Sequence, residues 1–198
     1  MDKTLEYYNQ APQDYTADTI NADVSKLYPF FLTHLPPNAY IMDLGCGPGR
    51  DSKYFLEKGY RVLSVDGSQE FCKLTSQLTG QDVLCQTFET IDYTEEFDGI
   101  WACASILHVP MSELPKVIAN ISRALKKGGY FYASFKYGEY EGERNGRYFT
   151  DMTEERFGKL IEMFGELEIV ETMVTGDVRV GREREMWLNV VVRKENLL

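Results

Sequence analysis

Three glycines alternate directly after an apolar run in the segment Ile41-Met-Asp-Leu-Gly-Cys-Gly-Pro-Gly-Arg-Asp51. Glycine has no side chain and tolerates positive φ, so Gly45, Gly47 and Gly49 let the backbone turn sharply and let a ligand touch it. The run from Tyr40 to Leu44 predicts a buried strand, and the residues from Asp51 to Lys58 predict a helix. The segment therefore predicts a cofactor-binding loop; a tight turn without a ligand is the alternative.

A carboxylate closes the next predicted strand, which runs from Arg61 to Asp66. A carboxylate at this position can accept hydrogen bonds from both hydroxyls of a ribose. The strand, helix and strand form a unit whose crossover is expected to be right-handed. Nicotinamide and adenosyl cofactors both carry a ribose, so Asp66 indicates a nucleoside without choosing between them.

The stretch from Phe97 to Pro110 is almost uncharged and predicts a central parallel strand. Its small residues Ala102, Cys103, Ala104 and Ser105 leave room for a ligand at the carboxyl end of the sheet. His108 follows them, and its unperturbed pKa permits base chemistry near neutrality. It is the candidate to orient or deprotonate an acceptor; hydrogen bonding to the loop alone is the alternative.

Residues 136–150 combine glycines, aromatic residues and charges of both signs without a helix or strand period. Such a long connection commonly covers a binding site, so we expect a substrate lid here. The predicted substrate contacts in it are Lys136, Arg144, Arg147 and Tyr148. Because a guanidinium grips a carboxylate in a bidentate fork, the arginines predict an anionic acceptor. Pairing with the neighbouring glutamates is an equally open interpretation.

These segments carry a family resemblance. Asp43-x-Gly45-x-Gly47-x-Gly49 resembles motif I of the class I S-adenosylmethionine (SAM)-dependent methyltransferases, Phe97–Pro110 resembles their FDxVxxxxxLHH segment, and Leu125–Tyr130 resembles their LKPGG turn. The resemblance covers nearly the whole chain and is strongest to small bacterial methyltransferases of the tellurite-resistance-like type. It implies an α/β, Rossmann-like fold: a mostly parallel seven-stranded sheet, helices on both faces and an antiparallel last strand.

The resemblance also implies the chemistry, which is transfer of a methyl group from SAM by direct displacement, leaving S-adenosylhomocysteine. It assigns the cofactor contacts to Asp43, Gly45, Cys46, Gly47, Gly49, Arg50, Asp66, Gly67, Thr87, Phe88, Glu89, Ala102, Cys103, Ala104 and Tyr15. It assigns the acceptor contacts to Ser105, His108, Lys136, Arg144, Arg147 and Tyr148, with His108 as the catalytic residue. Thr87 and Phe88 align with the adenine loop, where many relatives carry Asp first; Glu89 could substitute, and a plain surface turn is the alternative.

Several further elements are predicted from pattern alone. A helix is expected from Asp18 to Leu35. With the residues before it, this segment resembles an N-terminal cap over the cofactor at 1–37, in which Tyr7 and Tyr15 are the candidates to cover the cofactor or the acceptor. Ser68, Ser112 and Asp151 are expected to cap three later helices. Two last strands, Leu167–Thr175 and Met186–Arg193, should pair antiparallel because a short link joins them.

Bulk properties limit the remaining choices. With 198 residues, 43% of them hydrophobic, the chain suits a single domain spanning 1–198, as a monomer or homodimer. The four cysteines form no C-x-x-C pair, and the N-terminus has no leader pattern, so a cytoplasmic location is predicted. No apolar run suits a membrane span, and two histidines without a cysteine cluster predict no metal site.

The net charge of −10 makes nucleic acid an unlikely partner and a small molecule the expected acceptor. Three alternatives stay open. An RNA methyltransferase is suggested by a similarity of Arg147-Tyr-Phe to wobble-uridine enzymes. A nicotinamide-dependent oxidoreductase would share the ribose site, although G-x-G-x-G differs from its fingerprint. A SAM-binding protein without catalysis is the third.

Overall fold

The computed structural model describes residues 2–10, 12–179, 181–182 and 184–196. In these ranges the helices are α1 (Asp2–Gln10), α2 (Pro12–Thr19), α3 (Leu27–Leu32), α4 (Arg50–Glu57), α5 (Gln69–Thr79), α6 (Leu114–Ala124) and α7 (Glu154–Ile161). The strands are β1 (Tyr40–Leu44), β2 (Arg61–Asp66), β3 (Val83–Cys85), β4 (Phe97–Ala102), β5 (Leu125–Lys136), β6 (Glu141–Arg144), β7 (Arg147–Thr150), β8 (Leu167–Gly176) and β9 (Met186–Lys194). A 3₁₀ turn spans Ile106–His108.

Seven strands form one sheet in the order β3-β2-β1-β4-β5-β9-β8. Strands β1 to β5 pair in parallel, while β9 runs antiparallel to both β5 and β8. This confirms the predicted mostly parallel sheet with an antiparallel last strand. The strand order reverses beside β1, and ligands of open α/β sheets bind at the carboxyl ends of strands at such a switch point. The fold therefore places a site next to the glycine loop.

Helices cover both faces of the sheet because its central strands are apolar on both sides. Adjacent residues of β1 enter different cores: Met42 packs with α6 and α7, whereas Ile41 packs with α3 and α4. This follows from the alternation of side chains along a strand. Trp101 and Tyr132 stack at 4.0 Å in the second core. Both faces are closed, which leaves the strand ends as the place for chemistry.

The predicted helix from Asp18 to Leu35 is wrong. Helix α2 ends at Thr19, α3 starts at Leu27, and the residues between them are not helical. The carboxylate of Asp23 accepts the backbone N–H of Ser25 at 3.0 Å. Such local side-chain bonds compete with helix formation, so the apolar spacing of this segment did not suffice to make it continuous.

One of three predicted helix caps is confirmed. Ser68 accepts the N–H of Phe71 and caps α5. Ser112 does not cap α6, which follows Glu113 without a side-chain cap. Asp151 does not cap α7 either, because Thr153 accepts the N–H of Arg156 in that position.

The segment 136–150 is not an irregular loop, because it contains the hairpin β6–β7. Asn145 and Gly146 both have positive φ, 50° and 78°, as a two-residue type I′ turn requires. Asn-Gly was the sequence signal for this turn. The hairpin lies against α1 and the 3₁₀ turn, so it can still act as the predicted lid.

Candidate active site

Among the three glycines of the loop, Gly47 has the backbone that a ligand can approach most closely. With φ +53°, a Cβ added there would meet nothing within 4 Å, whereas one added at Gly45 would lie 2.4 Å from Cβ of Ser105. Gly45 thus serves close packing on Ser105, whose hydroxyl donates to the carbonyl of Leu44. Gly49 packs against Thr75 and precedes α4. Only Gly45 and Gly47 of the three glycines line a cavity.

Asp66 holds the loop in place. One carboxylate oxygen accepts the N–H of Gly47 and the other accepts the N–H of Ser68, both at 2.8 Å. Burial raises the pKa of Asp66 to about 6 although these bonds oppose the rise. Each oxygen retains a lone pair, so the carboxylate can also accept ribose hydroxyls.

A small cavity of about 60 Å³ lies beside Asp66, Gly67, Thr87 and Phe88, where the sequence predicted ribose and adenine. Leu5 of α1 closes it from the other side and packs against Gly67. Benzene fits an engineered cavity of roughly 150 Å³, so an adenosyl group needs more room here than the Leu5 side chain leaves.

Four described residues that were predicted to contact the cofactor line neither cavity: Asp43, Gly49, Glu89 and Ala102. Asp43 is buried beneath the loop, where it accepts the hydroxyl of Ser52 at 2.6 Å. Burial and the nearby charge of Asp51 raise the pKa of Asp43 to about 8. Glu89 does not line the adenine side, and its Oε1 is buried with no hydrogen-bond partner among the described residues. Tyr15 belongs to α2, and its predicted contact lies outside the described side chains.

A larger cavity of about 460 Å³ adjoins the loop. It lies between the glycine loop, the end of β4, the segment after α2, the hairpin and the β8–β9 connection. Cys46, Cys103 and Ala104 line it as predicted, whereas Ala102 is fully buried in the core. Burial raises the pKa of the Cys103 thiol to about 12, so this sulfur stays protonated.

Arg50 reaches this cavity from the start of α4. Its guanidinium forms a bidentate pair with Asp51 and donates to the carbonyl of Thr19 at 3.0 Å. Asp51 also accepts bonds from Tyr28 and Trp101, each at 2.8 Å. Burial would raise the pKa of Asp51, but the charge and hydrogen bonds of Arg50 keep it below its usual value. The pair can present the guanidinium to the carboxylate end of a bound amino acid group.

His108 lies where the two cavities meet and lines both. Its Nδ1 lies 2.6 Å from the carbonyl oxygen of Tyr148, which can only accept, so Nδ1 carries the proton. Nε2 therefore accepts the hydroxyl of Tyr8, at 2.8 Å. Burial, together with the charge of Arg147, lowers the pKa of His108 to about 4. The ring is neutral near pH 7, and both nitrogens are engaged.

Arg147 also faces the larger cavity. Its guanidinium packs on the rings of Tyr7, Tyr8 and Phe149 at 4.7, 5.8 and 5.2 Å, and it donates to the Tyr8 hydroxyl at 3.4 Å. Its Nε is buried and has no hydrogen-bond partner in the part of the chain that the structure describes. Among the described residues no carboxylate pairs with Arg147, so its charge is available to an anionic ligand.

Of the other residues that were predicted to contact the acceptor, some line a cavity and some do not. Lys136 lines the cavity but is held by Asp177 and Glu185. Arg144 pairs with Asp151 away from both cavities. Tyr148 contributes its backbone carbonyl to His108, while its side chain points to Glu141. Ser105 lines only the smaller cavity.

Sequence reasoning missed Tyr8, which lines both cavities. The dipeptide Tyr7-Tyr8 marked the segment, yet Tyr7 was the one singled out. Thr4 and Tyr8 lie four residues apart on one face of α1, and both line the smaller cavity. Recognising α1 as a helix would have grouped them; we predicted no helix there.

Comparison with known proteins bears on this site. Residues 42–133, a little under half of the chain, match the model described as "Methyltransferase domain". A sarcosine/dimethylglycine N-methyltransferase of Halorhodospira halochloris is 30% identical over 106 residues, covering 49% of this chain and 37% of its own. A tRNA (carboxymethyluridine(34)-5-O)-methyltransferase of Arabidopsis thaliana is 33% identical over 103 residues, covering 50% and 24%. The chain thus spans well under half the length of either relative.

A solved structure is similar over almost the whole chain. It is the 1,6-didemethyltoxoflavin-N1-methyltransferase of Burkholderia thailandensis, with bound 1,6-didemethyltoxoflavin and S-adenosylhomocysteine. The TM-score is 0.78 at 22% identity, over 98% of this chain and 87% of that one. At this identity the likeness supports the fold. Residues 42–133 thus match a methyltransferase domain, and the fold is that of the class I SAM-dependent methyltransferases.

Proposed function

We propose that this protein transfers the methyl group of SAM to a small-molecule acceptor that carries an anionic group. The observation that carries the proposal is the adjacency of the two cavities: one lies on the glycine loop and Asp66, and the other holds Arg147 without a carboxylate partner among the described residues. Nucleoside chemistry and anion binding therefore meet at His108 and Tyr8.

The residues present fit SAM. Gly47 is a cradle that a Cβ would fill, Asp66 is a carboxylate acceptor for ribose, and Arg50 is a guanidinium for the amino acid end. When bound, SAM supplies a methyl group on a sulfonium, which is already a strong electrophile. The chain therefore has mainly to position the nucleophile and exclude water. Helix α1 and the hairpin β6–β7 cover the site and would do the latter.

The names of similar proteins favour small acceptors. The Halorhodospira relative is named for sarcosine and dimethylglycine, and the Burkholderia structure contains a small heterocycle. The Arabidopsis relative, named for tRNA, favours an RNA acceptor as the second candidate. The net charge of −10 opposes that candidate. A salt-sensitive gel shift with tRNA would support it.

The test has two stages. Calorimetry should detect binding of SAM and S-adenosylhomocysteine and none of NAD; binding of NAD instead would favour the oxidoreductase. The protein is then incubated with SAM carrying a trideuterated methyl group and a deproteinised bacterial extract, and release of S-adenosylhomocysteine is followed. Release that depends on the extract, with a labelled anionic product, is expected. Binding without release would leave a SAM-binding protein and contradict the proposed transfer.

Location and assembly stay predictions. No helix among the described residues is long and apolar enough to cross a bilayer. We retain the cytoplasmic location, the monomer or homodimer and the single domain with an N-terminal cap and a substrate lid as hypotheses. Size-exclusion chromatography with light scattering would decide the oligomeric state.

A further inference from the structure

Tyr8 lines both cavities, so under the proposed function it lies between the cofactor and the acceptor. Since Nε2 of His108 carries no proton, the tyrosine must donate the hydrogen bond between them. The Tyr8 hydrogen is therefore directed to His108. Its oxygen accepts an N–H of Arg147 at 3.4 Å and has a second lone pair that can accept another hydrogen bond. A hydroxyl whose proton is held in this way is a better acceptor, because bonds in a chain polarise one another.

No described side chain that lines the larger cavity is placed to act as a base for the acceptor. Both nitrogens of His108 are engaged, and the Cys103 sulfur stays protonated. The carboxylates that line the larger cavity are Asp23, Asp51 and Asp177. Each already accepts N–H hydrogen bonds from its own neighbours. Among these described groups there is none to take the proton of a nucleophile that must first lose one.

We propose that the nucleophile is a nitrogen that bears hydrogen, in an acceptor whose anionic group is bound by Arg147, and that Tyr8 is the catalytic residue that accepts its N–H. This rests on the proposed function and narrows its substrate class. A neutral nitrogen has a lone pair without losing a proton, so it needs no base. A hydroxyl nucleophile would need one, and a thiolate has no hydrogen to give to Tyr8.

The interaction is expected to strengthen during transfer. The nitrogen lone pair forms the bond to the methyl carbon while the carbon–sulfur bond breaks, and that electron pair stays on sulfur. Positive charge passes to the nitrogen, so its N–H donates more strongly to Tyr8, and the surplus proton leaves to water afterwards. An interaction that is stronger in the transition state than in the ground state raises kcat. His108 acts through Tyr8 as a positioning residue.

The first experiment locates the transferred methyl group. The labelled products from the bacterial extract are fragmented in a mass spectrometer to identify the atom that carries the trideuteromethyl group. Attachment to nitrogen is expected, and attachment to oxygen or sulfur overturns the inference. A wild-type protein that binds S-adenosylhomocysteine but releases none overturns the proposed function, and this inference with it.

The second experiment separates Tyr8 from the cofactor site. Tyr8→Phe should lower kcat about 10²-fold, with KM and the calorimetric affinity for S-adenosylhomocysteine within about threefold of wild type. Tyr93→Phe, remote from both cavities, is the matched control. Unchanged kcat overturns the role of Tyr8. Loss of S-adenosylhomocysteine binding also overturns it, because Tyr8 would then serve the cofactor.

The third experiment tests His108 as a positioning residue. Glutamine can present an oxygen to the Tyr8 hydroxyl but cannot carry a proton, so His108→Gln should retain at least about a tenth of wild-type kcat, whereas His108→Leu should fall as far as Tyr8→Phe. ¹⁵N NMR of the imidazole should show the proton on Nδ1 at pH 7. A Gln variant as inactive as the Leu variant, or a proton on Nε2, would refute this arrangement.

Discussion

Replacing His108 with leucine tests the buried hydrogen-bond chain through stability, before any acceptor is known. The substitution removes the bonds to the hydroxyl of Tyr8 and the carbonyl of Tyr148, at 2.8 and 2.6 Å. Leaving a buried polar group without its partner costs about 1–3 kcal/mol, so the free energy of unfolding should fall by roughly 2–6 kcal/mol. That is a large share of the 5–15 kcal/mol that is typical of a folded domain.

Urea unfolding at pH 7 measures this loss. Tyr8→Phe should lose about 1–3 kcal/mol, and the double variant should lose less than the sum of the single variants because both remove the same bond. A His108→Leu protein within about 0.5 kcal/mol of wild type would refute the chain. Strict additivity in the cycle would refute the Tyr8–His108 bond even if each variant were destabilised.

The pH dependence gives an independent check. The pKa of His108 is lowered to about 4 in the folded protein, chiefly by burial, from 6.5. The unfolded chain therefore binds the proton at a higher pH, and the stability due to this residue falls as the pH falls from 6.5 to 4. The full difference is about 3 kcal/mol. His108→Gln lacks this pH dependence. The difference in the free energy of unfolding between wild type and His108→Gln should therefore change by about that amount between pH 6.5 and 4. A difference that stays constant over this range would contradict the burial of a neutral ring.

Three further predictions concern the cofactor and acceptor sides. Gly47→Ala should still fold, with a loss of about 1–2 kcal/mol in the free energy of unfolding because of its φ of +53°, and should bind S-adenosylhomocysteine much more weakly. Gly45→Ala should unfold at a far lower urea concentration, because its Cβ would lie 2.4 Å from Cβ of Ser105. Because the pKa of Asp66 is raised to about 6 by burial, calorimetric affinity for S-adenosylhomocysteine should fall up to tenfold per pH unit below 6, and Asp66→Asn should bind weakly at every pH. Arg147→Met should raise the acceptor KM at least tenfold, and the matched Arg144→Met should leave KM unchanged but lower the urea midpoint, because it breaks the pair with Asp151.

The arrangement of the glycine loop and Asp66, which the proposed function assigns to the cofactor, could be predicted because its signals are local. The apolar run before the glycines and the carboxylate that ends β2 fix a strand, a loop and a second strand within a short stretch of chain, and the bounds of β1 and β2 match the prediction. Gly47 and Asp66 are brought together by the crossover itself. Asp43 shows the limit: its type and spacing fit the motif, but whether a carboxylate faces a ligand or lies under the loop depends on packing.

The acceptor half could not be predicted in the same way. His108 is a base candidate by residue type, but its pKa depends on burial among α1, the hairpin and the 3₁₀ turn, which are far apart in sequence. The sequence gives no reason to separate Arg144 from Arg147. In the structure they face each other across the β6–β7 turn, and Arg144 contacts Asp151 whereas Arg147 packs on Tyr7. The Asn-Gly turn that separates them was visible, and using it would have predicted the hairpin.

The distribution of these residues along the chain indicates where acceptor specificity is encoded. The methyltransferase domain match ends at residue 133, and it contains Gly47, Asp66 and His108. The groups that surround His108 come from outside it: Tyr8 from α1, and Arg147 with the Tyr148 carbonyl from the hairpin. Related chains with the same matched domain but different flanking segments should therefore bind the same cofactor and methylate different molecules. Grafting α1 and the hairpin together, rather than either alone, is the exchange expected to carry the acceptor preference, because the site is formed only where the two segments meet.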